Sequence, residues 1–106
     1  MSGSSNIALI AAAAIGLASG VQAYDGEQYV TCGLDPNGDN FLALRACGSS
    51  KCEMLLKLGP GTFMISLEPV GTKGWREVIV QSDVMDWSYE GPKGWVYEKY
   101  ICSATS

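Results

Sequence analysis

Apolar positions along this chain fall into two regimes. Residues 7–17, reading IALIAAAAIGL, form one uncharged apolar run. From residue 41 onward the apolar positions come in short stretches broken by glycine, proline and polar residues. In residues 41–45, Leu42 and Leu44 alternate, which puts both on one face of a strand. Residues 54–58 make a short apolar stretch. Gly59-Pro60-Gly61 must end it, because proline lacks a backbone donor and glycine admits unusual dihedrals. Phe63, Ile65 and Leu67 alternate in the segment that follows. Residues 75–81, rich in β-branched side chains, predict another strand, and residues 94–97 a last one before a turn at 98–100 and Ile101. Residues 24–30 read as a polar lead-in with no defined element. Outside 7–17 no segment has the spacing of an amphipathic helix. Short strands with Gly/Pro punctuation predict an all-β domain. With only about 65 residues available, a small barrel is favoured over a sandwich of immunoglobulin size.

The early apolar run reads as the core of a signal peptide. Val21-Gln22-Ala23 sets modest or small side chains at the −3 and −1 positions, so cleavage is expected after Ala23. The run falls short of the roughly 20 apolar residues that span a bilayer. Residues 1–6 contain no Lys or Arg, and the alternative is an uncleaved N-terminal anchor. Either way the domain is expected to leave the cytoplasm, for the periplasm or the medium. The expected organisation is a signal peptide at 1–23, an N-terminal extension at 24–38 and a globular domain at 39–103.

Charge narrows the partners. The net charge is −4, and every charged residue lies after Ala23. The basic residues are scattered, which argues against nucleic acid or anionic lipid held by a basic patch. The chain has no histidine. That excludes Ser-His and Cys-His nucleophilic sites and His-based zinc sites. The remaining route to catalysis is a carboxylate pair, and no Asp or Glu stands in an apolar context that would raise its pKa. A binding protein without cofactor or metal is therefore expected, not an enzyme. Residues 35–40, DPNGDN, imitate the start of a calcium loop. Asn40 stands where that loop needs glycine and Ala46 where it needs glutamate, so a plain turn is the better reading.

Four cysteines, Cys32, Cys47, Cys52 and Cys102, all fall in the part expected to be exported. An even number in a short exported chain reads as a disulfide framework, and four cysteines allow three pairings. Cys47–Cys52 with Cys32–Cys102 is favoured: the first closes a tight loop through Gly48-Ser49-Ser50, and the second ties the ends of the domain together. A four-cysteine zinc site is the weaker alternative, because paired C-x-x-C motifs are lacking.

Taken in order, Leu42-Ala43-Leu44-Arg45, Leu58, Gly61-Thr62, Gly74-Trp75-Arg76-Glu77-Val78, Gly94-Trp95-Val96 and Tyr100-Ile101 resemble the bacterial SH3 (SH3b) domain over residues 39–102. Two departures stand out. The segment 82–93 is longer than the usual tight hairpin, and the cysteines are additions to the pattern. The resemblance implies a five-stranded, partly open SH3-like barrel at 39–103. It also implies a binding module, since many relatives grip peptidoglycan peptides beside cell-wall hydrolases and others mediate periplasmic protein contacts. The expected partner is cell-wall peptide or glycan, or a periplasmic protein. The alternative is an accessory or inhibitory subunit of an envelope assembly or a secreted enzyme.

Five residues are candidates for ligand contact. On 75–81 the valines share one face, and Trp75 shares the other with Glu77 and Ile79. Trp75 is then either an anchor at the rim beside the Cys47–Cys52 loop or a plug closing one barrel end. Trp87 and Tyr89, among Asp83, Asp86 and Glu90, either stack on a cationic or peptide ligand or fold back over the barrel. Trp95 and Val96 are expected in the core. Tyr100 can pack its ring while its hydroxyl reaches the surface. Arg45 pairs with an acidic neighbour or holds a ligand carboxylate.

Overall fold

The computed structural model describes residues 25–104. The expected signal peptide lies outside them. The strands are β1 Gln28–Thr31, β2 Leu42–Arg45, β3 Met54–Leu58, β4 Phe63–Ser66, β5 Trp75–Val80, β6 Lys93–Tyr97 and β7 Ile101–Ser103. One turn of 3-10 helix, Glu98–Tyr100, joins the last two. The fold is all-β, with one seven-stranded sheet in the order β3-β2-β6-β5-β4-β1-β7 and every pairing antiparallel.

This corrects the expected five-stranded barrel. The sheet has two more strands and is not closed: β3 and β7 end it. One added strand, β1, falls inside the stretch 24–38 set apart from the domain by its polarity. It sits between β4 and β7, with Tyr29 opposite both Met64 and Ser103. Its polar ends are buried and satisfied. Gln28 Nε2 donates to Gln81 Oε1 at 2.9 Å, and Thr31 Oγ1 donates to the Gly59 carbonyl at 2.8 Å.

β2, β5 and β6 turn one face inward, β4 is buried on both, and the edge strand β3 contributes only Leu58 to the interior while Met54, Leu55 and Leu56 stay exposed. Leu42, Leu44, Leu58, Met64, Val78 and Val96 form a single core, with Tyr29, Leu34, Val80, Tyr100 and Ile101 packed against it. The sheet therefore wraps round one core while its edges stay apart. The outer face of β4 and β5 is covered too. Ile65 and Ile79 stand opposite each other there, and both are buried. The chain crosses Ile65 at Gly26, where a Cβ would run into the isoleucine and into the Tyr89 hydroxyl.

A polar bracket closes one end of the core. Arg76 Nε donates to Glu98 Oε2 at 3.0 Å and Nη1 to the Tyr29 hydroxyl at 3.0 Å, and that hydroxyl donates to Glu27 Oε1 at 3.1 Å. Burial pushes the Tyr29 phenol upward. Burial alone would lower Arg76, but its bonds to Glu98 and Tyr29 outweigh that and hold it above the ordinary guanidinium value.

The structure contains two disulfides, Cys32–Cys102 and Cys47–Cys52, the pairing the sequence favours. The first joins the end of β1 to β7, with Cα atoms 5.9 Å apart. The second bridges the β2–β3 connection, at 5.6 Å. No cysteine is left as a thiol for the alternative zinc site.

Candidate groove and a braced loop

A groove of about 650 Å³ runs over the outer face of β2, β6 and β5. Arg45, Trp75 and Tyr100 line it together, and Phe41, Met54 and Tyr97 join them. Alternation explains the grouping. With Leu42 and Leu44 inward, Ala43 and Arg45 must face out, and with Val96 inward, Tyr97 faces out. The antiparallel register sets Trp75 opposite Tyr97, and their ring centroids lie 5.3 Å apart at 50°. Tyr97 and Tyr100 follow at 6.1 Å and 53°. These spacings suit tilted aromatic pairs.

Local chemistry fixes Trp75. Lys73 and Gly74 both have positive φ, 52° and 88°, and Thr72 and Trp75 exchange backbone hydrogen bonds at 2.7 and 2.9 Å. That is the geometry of a two-residue type I′ hairpin, whose twist matches the flanking strands. From below, the disulfide loop supports the ring. A Cβ at Gly48 would sit 3.2 Å from Trp75 Cβ and 3.2 Å from Trp95 Cε3. Trp75 is half-buried, so it is both a packed residue and a groove wall.

Trp95 is half-buried on the outer face beneath this loop, while Val96 is fully buried; of the two expected core residues only the valine is inside. Arg45 Nη1 donates to the Cys52 carbonyl at 2.9 Å, and among the described residues no carboxylate pairs with it. It holds the disulfide loop and keeps its charge at the groove wall. The far rim is the segment 33–41. Asp35 accepts from Asn37 N at 2.9 Å and, through its carbonyl, from Gly38 N at 3.0 Å, a turn of the Asx kind. Asp35 and Asp39 both line the groove. Tyr97 was missed in the sequence; the signal was its place directly after Gly94-Trp95-Val96, facing opposite Val96.

Trp87 and Tyr89 lie elsewhere. They belong to the β5–β6 loop, residues 81–92, at the other end of β5 from Trp75, about 17 Å along that strand. Both stay exposed, Trp87 at 47% and Tyr89 at 41%, although Tyr89 reaches back far enough for its hydroxyl to accept from Gly26 N at 3.2 Å. The loop is organised round Asp86. Ser82 N and Oγ donate to its Oδ2 at 2.9 and 3.1 Å, and Ser88 N and Oγ to its Oδ1 at 3.1 and 2.7 Å. The Ser82 amide and then the Ser88 hydroxyl and amide hold this carboxyl well below the usual carboxylate range.

Comparison with protein-family models, with curated proteins and with solved structures finds no match for this chain.

Proposed function

We propose that this chain is an exported binding module of the SH3b type, and that its groove holds an extended cell-wall peptide. The observation that carries the reading is the aromatic row Trp75, Tyr97 and Tyr100 lining one groove with Arg45. Flat rings held by a hairpin and a disulfide loop offer a large contact area at little entropic cost. Arg45 supplies a guanidinium for a peptide carboxylate, and Asp35 and Asp39 supply counter-charge for an amine. Stem peptides of the bacterial wall carry both kinds of group. Two disulfides suit an oxidising compartment outside the cytoplasm.

The test is co-sedimentation with purified peptidoglycan sacculi, followed by titration of soluble stem peptides against tryptophan fluorescence. Retention on sacculi that is lost with Trp75→Ala supports the reading. Protein left wholly in the supernatant, with no fluorescence change, counts against it.

A further inference from the structure

The β5–β6 loop is long, polar in composition and remote from the groove, yet it is one of the most internally bonded segments of the molecule. Besides the four bonds to the Asp86 carboxylate, Gln81 Nε2 donates to the Asp86 carbonyl at 2.7 Å. Gln28 Nε2 reaches over from β1 to the Val84 carbonyl at 2.9 Å. Met85 N donates to Asp83 Oδ1 at 2.8 Å, and Gly26 N donates to the Tyr89 hydroxyl at 3.2 Å. Tyr89 itself sits at φ 61°, an uncommon conformation for a residue with a Cβ.

What the brace presents is apolar. Val84 is 41% and Met85 78% exposed, beside the exposed Trp87 and Tyr89. A loop that served only to join two strands would have no reason to expose these side chains while ordering its backbone. Ordering before contact lowers the entropy cost of binding, and Trp and Tyr are the side chains that most often anchor protein interfaces.

We infer that this loop is a preformed docking element, distinct from the groove, that inserts Met85 and Trp87 into an apolar cleft of a partner protein whose rim is basic. Charge selects that occupant. Asp83, Asp86 and Glu90 stand among the apolar side chains, with Lys93 the single cation close by in sequence. Such a tip is repelled by anionic lipid headgroups, although tryptophan and methionine alone would suit a bilayer. A second copy is disfavoured by the same rule, since the chain carries a net charge of −4 and its groove is rimmed by Asp35 and Asp39.

The experiment places the photo-crosslinker p-benzoyl-L-phenylalanine at position 85 of the full chain in the producing cells, illuminates, and identifies the attached protein. That protein is purified, and its affinity is measured for the unaltered chain and for Trp87→Ala, Trp87→Phe and Trp75→Ala. The expected result is a partner with a net-basic contact surface, bound roughly tenfold or more weakly by Trp87→Ala. Trp87→Phe should recover most of the affinity, and Trp75→Ala should leave it unchanged, which separates this surface from the groove. Circular dichroism and intact disulfides check that each variant folds. The inference is overturned by the absence of a crosslink, by a partner indifferent to Trp87→Ala, or by loop-dependent binding to phosphatidylglycerol vesicles.

Discussion

Trp75 and Tyr97 face each other directly across the β5–β6 pair, with ring centroids 5.3 Å apart, and the contact makes one wall of the groove. Tyr97 is 41% exposed, so its removal takes away little buried area. Tyr97→Ala should therefore cost only about 1 kcal/mol of stability, the worth of an aromatic pair. Binding should suffer more, because both the ring and the brace on Trp75 go; roughly tenfold weaker stem-peptide affinity is expected. Urea denaturation and fluorescence titration measure the two effects. Equal affinity in the variant would remove Tyr97 from the site.

Arg76 is a different kind of residue. Its side chain is only 12% exposed and holds Glu98 and Tyr29 together at one end of the core. Arg76→Ala would strand a carboxylate that is itself one-third exposed, so solvent softens the loss. A destabilisation of roughly 1–3 kcal/mol is expected. Arg76→Lys should recover little, since one ammonium cannot copy the guanidinium geometry. A thermal shift no larger than that of an exposed surface substitution would refute the bracket.

The strands were legible where one face is buried and the other is not. Leu42 and Leu44, and the segments starting at Phe63 and at Trp75, announce themselves by alternation or by β-branched side chains, whereas the edge strand 54–58 shows only as an apolar stretch cut off by Gly59-Pro60-Gly61. β1 did not, because its buried ends are Gln28 and Thr31. Their burial depends on partners far along the chain, Gln81 and Gly59, and no local pattern reports such pairing. Strand order and closure are likewise set by distant registers. The same limit applies to the candidate site. Alternation put Arg45 and Trp75 on the outer face, and the fold brought Tyr100 beside them. The path of the loop that carries Trp87 and Tyr89 away from them had no signature in its residues.

That loop offers a pH test. The Asp86 carboxyl is held below the usual range by donors from Ser82 and Ser88. A carboxyl depressed on folding contributes stability above its unfolded pKa and loses it as pH falls through the folded value. The loop should thus keep its conformation through the pH range in which ordinary carboxylates titrate, and loosen only in stronger acid. A carboxyl-carbon NMR titration of Asp86, read with the near-ultraviolet dichroism of Trp87, tests this. A midpoint in the ordinary carboxylate range would show that the brace is not formed in solution.

The two disulfides should differ in what they protect. Cys32–Cys102 spans 70 positions and fastens β1 to β7 at one edge of the open sheet. Cys47–Cys52 spans 5 and closes only the loop beneath Trp75. In the chain-entropy account a cross-link limits the unfolded chain more as the closed loop lengthens, by about 4 kcal/mol for the long link and about 2 kcal/mol for the short one. A domain this small holds only ~5 kcal/mol in all. Replacing both Cys32 and Cys102 by Ser should leave it close to unfolding at room temperature. Replacing both Cys47 and Cys52 should keep the fold but free Gly48 and the Cys52 carbonyl that anchors Arg45, so groove affinity should fall further than stability. Denaturant midpoints and stem-peptide titrations on the two double variants separate these effects. The reverse order, with the short link dominating stability and leaving the groove untouched, would show that the loop is not what positions Trp75 and Arg45.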